Sequence, residues 1–293
     1  MLEIELSAGT IEYEVTGGNS PVLVLLHGLA MGGSLWRGVV ADLREDHSCI
    51  VPTLPLGGHR CPMHPDADLS ILGMARLVAE FLEELDLNKV TLVGNDWGGE
   101  QLLVSERLDG RVGRLVLTSC EAFDNFPPGL PGRVVAQAAM PGGIHAAFQL
   151  LRLPLTWGWM STRPVPDEVV DGWFRHLQTQ AGIRRDLRKY TLSIPPKKVL
   201  LEWSERLHSY ARPTLVVWAK EDRVMPREHG RRLAELFPQG RLLEIPDSYT
   251  LIPEDQPGSL AHAIREFVRD TPGACPRLAR FSASLGLTQA LRP

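Results

Sequence analysis

Apolar residues fall in two rhythms along the chain. Short, nearly continuous apolar runs, "PVLVLLHG" (21–28), "SCIVPTLP" (48–55), "KVTLVG" (89–94), "GRLVLTS" (113–119), "RPTLVVWA" (212–219) and "GRLLEIP" (240–246), have the length and β-branched content of strands buried on both faces of a parallel sheet. Between them the spacing changes to threes and fours. Leu77, Val78, Phe81, Leu82 and Leu85 mark an amphipathic helix within 69–87, and similar patterns predict helices from about Glu100, over 227–237 and over about 258–269. The first seventeen residues alternate apolar and polar positions around a turn, the pattern of a β-hairpin. Strand and helix in alternation predict a doubly wound, mostly parallel α/β sheet.

The rhythm breaks after Ala122. Residues 123–207 contain no buried strand pattern, and helical spacing is interrupted by prolines and glycines around Trp157, Trp159, Trp173 and Trp203. The expected organisation is therefore a core made of 1–122 and 208–270, a helical cap of 123–207 inserted after the sixth strand, and a C-terminal extension of 271–293. Within the insertion, Ile183, Leu187, Tyr190 and Ile194 form one helical stripe. The nearby Arg184, Arg185, Arg188 and Lys189 read as a solvated surface.

Composition narrows the function. With 293 residues and 44% hydrophobic content, the chain can bury a substantial core. A net charge of -4 supplies no global field for nucleic acid or an anionic membrane, so the expected partner is an apolar small molecule. No apolar run is long enough to span a bilayer, the amino terminus lacks the regions of a signal peptide, and Cys49, Cys61, Cys120 and Cys275 have no paired spacing. A soluble, cytoplasmic protein with reduced cysteines, no metal and no cofactor is expected.

The chemistry concentrates in "VGNDWGGE" (93–100). A strand, then G-x-D-x-G-G, then a helix, is a nucleophile elbow carrying aspartate in place of serine. The glycines leave room for a tight turn at Asp96, and the helix that follows directs its positive end towards the carboxylate. His27 and Gly28 close an earlier strand, so the backbone N–H of Leu29 can pair with that of Trp97 as an oxyanion or halide pocket. "EDRVMP" (221–226) puts Asp222 just past a late strand.

With "HG" at 27–28, "GNDWGG" at 94–99, "EDRVMP" at 221–226 and "PEDQP" at 253–257, the chain resembles the α/β-hydrolase superfamily over residues 1 to about 270. The resemblance is to the branch of haloalkane dehalogenases and epoxide hydrolases that uses an aspartate nucleophile. It implies an α/β-hydrolase fold, a helical cap, Asp96 as nucleophile, Asp222 as orienting acid, and hydrolysis of a carbon–halogen or epoxide bond through an ester. The resemblance also implies a histidine just before "PEDQP", and there the sequence has Thr250. A threonine hydroxyl does not accept a proton from water at neutral pH.

His59, after an early strand on the carboxyl side of the sheet, is a surrogate base candidate. Asp247 and Asp255 lie in turn-rich sequence that favours capping. Trp157, Trp159 and Tyr190 are candidate substrate contacts. Leu29 stands where dehalogenases carry a second halide donor, and the insertion offers one tyrosine where epoxide hydrolases use two. Two alternatives stay open: a non-hydrolytic enzyme (isomerase, lyase or cyclase) using Asp96 as acid or base, and a catalytically silent ligand-binding homologue.

Overall fold

The structure is a computed structural model and describes residues 1–18, 21–128 and 158–272. Its eight strands are β1 (Leu2–Leu6), β2 (Gly9–Gly17), β3 (Val22–Leu26), β4 (Ser48–Thr53), β5 (Val90–Asp96), β6 (Val112–Cys120), β7 (Thr214–Ala219) and β8 (Gly240–Ile245). They form one sheet in the order β1-β2-β4-β3-β5-β6-β7-β8. The hairpin β1/β2 and the pair β2/β4 are antiparallel, and every later pairing is parallel. Every residue of β3, β5, β6 and β7 is buried, as strands covered by helices on both faces must be. The apolar runs found in the sequence are these strands. Because they are parallel, the carboxyl ends of β3, β5, β6 and β7 all open on one edge, where ligands bind in folds of this kind.

Helix α1 (Arg37–Leu43) follows β3, α2 (Ile71–Glu84) precedes β5, and α3 (Gly99–Ser105) follows it. In α2 the stripe Leu77, Val78, Phe81 and Leu82 is buried, and Ser70 caps its first turn by accepting the Gly73 N–H at 3.0 Å. Between β6 and β7 run α4 (Asp167–Thr179), α5 (Ala181–Leu192) and α6 (Lys197–Glu205). Residues 129–157, which include Trp157 and His145, lie outside the described residues, as does most of the C-terminal extension. Helices α7 (Arg227–Leu236), α8 (Ile252–Asp255) and α9 (Pro257–Asp270) complete the chain.

Helix α5 locks onto the core through buried polar groups. Asp186 is fully buried, and its Oδ2 accepts the Met63 N–H at 2.8 Å while facing His59 Nε2 at 3.4 Å. Three neighbouring cations reach backbone carbonyls: Arg184 donates to Leu177 and Gln178 at 3.0 and 2.9 Å, Lys189 to Pro65 and Ala67 at 2.7 Å, and Arg185 to Met63. Arg185 and Lys189 therefore tie the insertion to the core and Arg184 joins α5 to α4 within it, so these three do not form the freely solvated face that helical spacing predicted. Among the described residues, no helix is long and apolar enough to cross a membrane, and no cluster of side chains is placed to hold a metal ion.

Candidate active site

Strand β5 ends on Asp96 at φ 66, a left-handed conformation that costs a non-glycine residue roughly 1–3 kcal/mol and is kept only where the surroundings impose it. Here they do. The Asp96 carbonyl accepts the Glu121 N–H at 2.9 Å, and its carboxylate Oδ2 accepts the Leu29 N–H at 3.1 Å. A Cβ on Gly28 would lie 2.1 Å from Asp96 Oδ2, and a Cβ on Gly94 would lie 1.6 Å from the Glu100 carboxyl. Glycine at these two positions is what allows the carboxyl groups to pack there.

The Leu29 donor is oriented from behind. His27 is fully buried, its Nδ1 lies 2.8 Å from the Gly28 carbonyl, and its Nε2 accepts the Leu54 N–H at 2.9 Å. These contacts assign the proton to Nδ1, which donates to the carbonyl. That carbonyl and the Leu29 N–H belong to one trans peptide and point in opposite directions. Holding the first therefore aims the second at Asp96. Burial pushes the His27 pKa down to about 4, which keeps the ring in the neutral form this arrangement needs.

The second donor expected from the sequence is turned away. The Trp97 N–H donates to the Asn95 carbonyl at 2.8 Å, a bond internal to the turn. The Trp97 indole N–H instead faces the buried Tyr190 hydroxyl without forming an aligned hydrogen bond, and neither atom has another partner. Tyr190 thus reaches the elbow from α5.

Asp222 closes the other side. Its Oδ1 accepts N–H groups from Val224 and Met225 at 2.9 and 2.8 Å and the Thr250 hydroxyl at 2.8 Å, whereas Oδ2 has no hydrogen-bond partner. Thr250 is fully buried, and its carbonyl accepts from Asn95 Nδ2 at 2.8 Å. The hydroxyl of residue 250 is therefore the side-chain group, among the described residues, that hydrogen-bonds Asp222 from the loop after β8. Burial, reinforced by the like charge of Asp222 and opposed by the Leu29 hydrogen bond, raises the Asp96 pKa from 3.8 to about 7. Among the described residues no imidazole hydrogen-bonds to either carboxylate.

Two further carboxyl groups stand beside Asp96. Glu100, in the first turn of α3, is fully buried with neither oxygen paired, and Glu121, just past β6, is 6% exposed. Burial, with the nearby Asp96 charge, raises both well above the usual carboxylate range. Sequence patterning did not single them out, because an isolated Glu after an elbow or a strand is ordinarily solvated. The one available hint was Glu100 itself, placed directly behind the second glycine of "DWGGE".

Since ionised Glu100 is penalised only in the folded state, it destabilises increasingly as pH rises above 4.5. Replacing it with an unbranched apolar side chain removes that cost. Glu100→Met should therefore raise stability at pH 8 by roughly 1–3 kcal/mol, with a gain that shrinks towards pH 4.5. Thermal unfolding of both proteins across this pH range checks the prediction, and an equal Tm at pH 8 would contradict it.

A sequence profile of the alpha/beta hydrolase fold matches residues 21–257. The chain belongs to the alpha/beta hydrolase fold family. Haloalkane dehalogenase 2 of Mycobacterium tuberculosis is 28% identical over 268 residues, spanning 89% of this chain and 92% of its own length. Among solved structures, the haloalkane dehalogenase DbeA of Bradyrhizobium elkani superposes with a TM-score of 0.76 at 17% identity, covering 92% of this chain and 97% of its own. A thermophilic esterase from Thermogutta terrifontis superposes with a TM-score of 0.69 at 22% identity, covering 92% and 98%.

Within this α/β-hydrolase fold, the remaining sequence candidates take other positions. His59 is buried between the Gly57 N–H, 3.3 Å from Nδ1, and Asp186; Nδ1 is engaged within its own loop and Nε2 faces α5, so the surrogate base candidate is corrected to a contact between the insertion and the core. Trp159, a candidate substrate contact, is 42% exposed and faces solvent. Asp255 is fully buried and accepts the backbone N–H groups of Thr162, Arg163 and Tyr249 and the Ser161 hydroxyl at 2.6–3.2 Å. It fastens the end of the insertion to the loop that carries Thr250, a wider role than the capping expected of it. Asp247 turns that loop at φ 55.

Proposed function

We propose that this α/β-hydrolase is an enzyme in which Asp96 attacks an apolar small molecule at a carbon–halogen or epoxide carbon and carries the product as an alkyl ester. The observation that carries this reading is the Asp96 carboxyl, 5% exposed at a left-handed turn and held by the Leu29 N–H. A solvated aspartate is a weak nucleophile. Burial, with no cation paired to it among the described residues, leaves its charge poorly stabilised, which favours attack on a neutral electrophile. The Trp97 indole N–H and the Tyr190 hydroxyl, both without aligned partners, are donors for a departing halide or an opened epoxide oxygen. The similarity to haloalkane dehalogenases supports the same class of reaction.

With threonine at position 250, and no imidazole among the described residues hydrogen-bonded to Asp96 or Asp222, the second half of the reaction needs a base from another position. Incubation with bromohexane or styrene oxide, followed by intact mass measurement and peptide mapping, tests the first half. The expected product is an ester on Asp96, and absence of any adduct with both reagents would overturn the reading.

Attack requires the ionised carboxylate. Because the Asp96 pKa is about 7, the rate of ester formation should rise about tenfold per pH unit below that value and level off about one unit above it. Single-turnover alkylation measured across this range checks the sign; a rate that falls with rising pH would contradict it. Such a fall would favour the second reading, an isomerase, lyase or cyclase in which protonated Asp96 is a general acid. The raised pKa is the observation in that reading's favour.

A further inference from the structure

We propose that His59 and Asp186 are positioning residues for Asp96: by docking Asp186 on His59, the insertion steadies the loop after β4, and that loop holds the Leu29 N–H on the Asp96 carboxylate. The proposal rests on the reading of Asp96 as the reactive group and adds two residues that act on it through others.

The loop after β4, residues 54–63, lies between the turn that follows β3 and helix α5. Towards the turn, the Leu54 N–H donates to His27 Nε2 at 2.9 Å, and the Leu56 carbonyl accepts the Ala30 N–H at 2.8 Å. These two bonds bracket Leu29, whose own N–H donates to Asp96 Oδ2 at 3.1 Å. Ala30 sits at φ 58, a left-handed conformation that needs such a contact to persist. The two segments approach closely, since a Cβ on Gly58 would lie 2.0 Å from the Met31 carbonyl oxygen.

Towards α5, the Gly57 N–H faces His59 Nδ1 at 3.3 Å. That contact leaves the ring proton on Nε2, 3.4 Å from Asp186 Oδ2. The Leu56 carbonyl and the Gly57 N–H belong to one trans peptide and point in opposite directions. Fixing the N–H on His59 therefore aims the carbonyl at Ala30. Asp186 fixes the imidazole in turn, and its Oδ2 is anchored by the Met63 N–H at 2.8 Å. Leu54, Leu56, His59 and Asp186 are all buried, so water does not readily replace a contact that is lost.

The line of contacts thus runs from Asp186 through the His59 ring and the Leu56–Gly57 peptide to Ala30, beside the donor of Asp96. Tyr190 stands one helical turn beyond Asp186, on the same face of α5, and reaches the elbow at Trp97. Docking of Asp186 brings Tyr190 and the Leu29 N–H to Asp96 together.

This arrangement leaves a mark on the titration of Asp96. Burial raises its pKa to about 7, the Leu29 hydrogen bond opposes that rise, and the Asp222 charge adds to it. Glu100 and Glu121 also bear on Asp96, and all of these groups stay in place when His59 or Asp186 is replaced. A loosened Leu29 donor should therefore let the Asp96 pKa climb.

The test is the pH midpoint of Asp96, read in two ways. One is the rate of alkylation by bromohexane. The other needs no reagent: the stability difference between each protein and its Asp96→Asn counterpart grows with pH and levels off above the folded pKa of Asp96. His59→Leu and Asp186→Asn should move the midpoint up by about one unit, a tenfold loss of rate below the wild-type midpoint. His59→Gln, whose amide still donates towards Asp186, should move it less, and it carries the test if leucine at 59 prevents folding. Lys189→Met removes the tie of α5 to the Pro65 and Ala67 carbonyls, outside this line, and should leave the midpoint unchanged. An unmoved midpoint in folded His59 and Asp186 variants would overturn the proposal. An equal shift in Lys189→Met would also overturn it, because the effect would then be general loosening of the insertion. Absence of an adduct on the wild-type protein removes the nucleophile reading alone, since the reagent-free midpoint still decides whether His59 and Asp186 act on Asp96.

Discussion

Asp96→Asn should form no ester with either reagent while making the folded protein more stable in mild alkali. Moving a carboxyl pKa from 3.8 to about 7 on folding costs up to about 4 kcal/mol once the group is ionised. The raised folded value means that the contribution of Asp96 is fully favourable below 3.8 and is lost as pH rises through about 7. Asparagine retains an acceptor for the Leu29 N–H and has nothing to ionise. The variant should therefore gain up to about 4 kcal/mol at pH 8 and nothing near pH 3.8. Denaturant unfolding at the two pH values measures both limits. Loss of reactivity with a simultaneous gain in stability is the signature of a group strained for use, whereas loss of stability at pH 8 would mean that the carboxylate is held by contacts not seen here.

Thr250→His carries the second large effect. Residue 250 already places its Oγ1 2.8 Å from Asp222 Oδ1, so an imidazole there can give one N–H to Asp222 and turn the other nitrogen towards the elbow. This substitution should accelerate hydrolysis of the Asp96 ester by roughly 10²–10⁴-fold, the usual worth of a positioned general base. The larger ring enters a fully buried site and should cost roughly 1–3 kcal/mol of stability through overpacking. Ester decay followed by mass, alongside thermal unfolding, separates the two effects. A Thr250→His protein that forms the ester but hydrolyses it no faster than the wild type would mean that position 250 does not address Asp96.

The parts of this molecule that could be read before folding are those written in short-range pattern. The runs around Leu23–Leu26 and Val90–Val93 are strands because nothing but a doubly covered sheet accommodates them. The elbow was visible because a left-handed Asp96 needs glycines around it. Thr250 was singled out by the family resemblance around "PEDQP", and its hydroxyl contacts Asp222. Other residues take their character from partners far away in sequence. Glu121 is buried because β5 and β6 are neighbours, a fact absent from residues 113–125. His59 and Asp186 are separated by 127 positions, so His59 read as a free imidazole until α5 supplied its carboxylate. Lys189 looked solvated for the same reason, since its acceptors, the carbonyls of Pro65 and Ala67, are 124 and 122 positions away. Trp159 shows the converse, an aromatic side chain assigned to a pocket by residue type and left on the surface by the fold.

The most direct measurement of the central claim is the mass of the protein after brief exposure to bromohexane at pH 8, followed by mapping of the modified peptide. Reaction at Asp96 should add one hexyl group to the peptide containing "GNDWGG", and the adduct should be absent from Asp96→Asn. A hexyl group on any other residue, or an unmodified wild-type protein under conditions that alkylate a free cysteine, would contradict the assignment of Asp96 as a nucleophile.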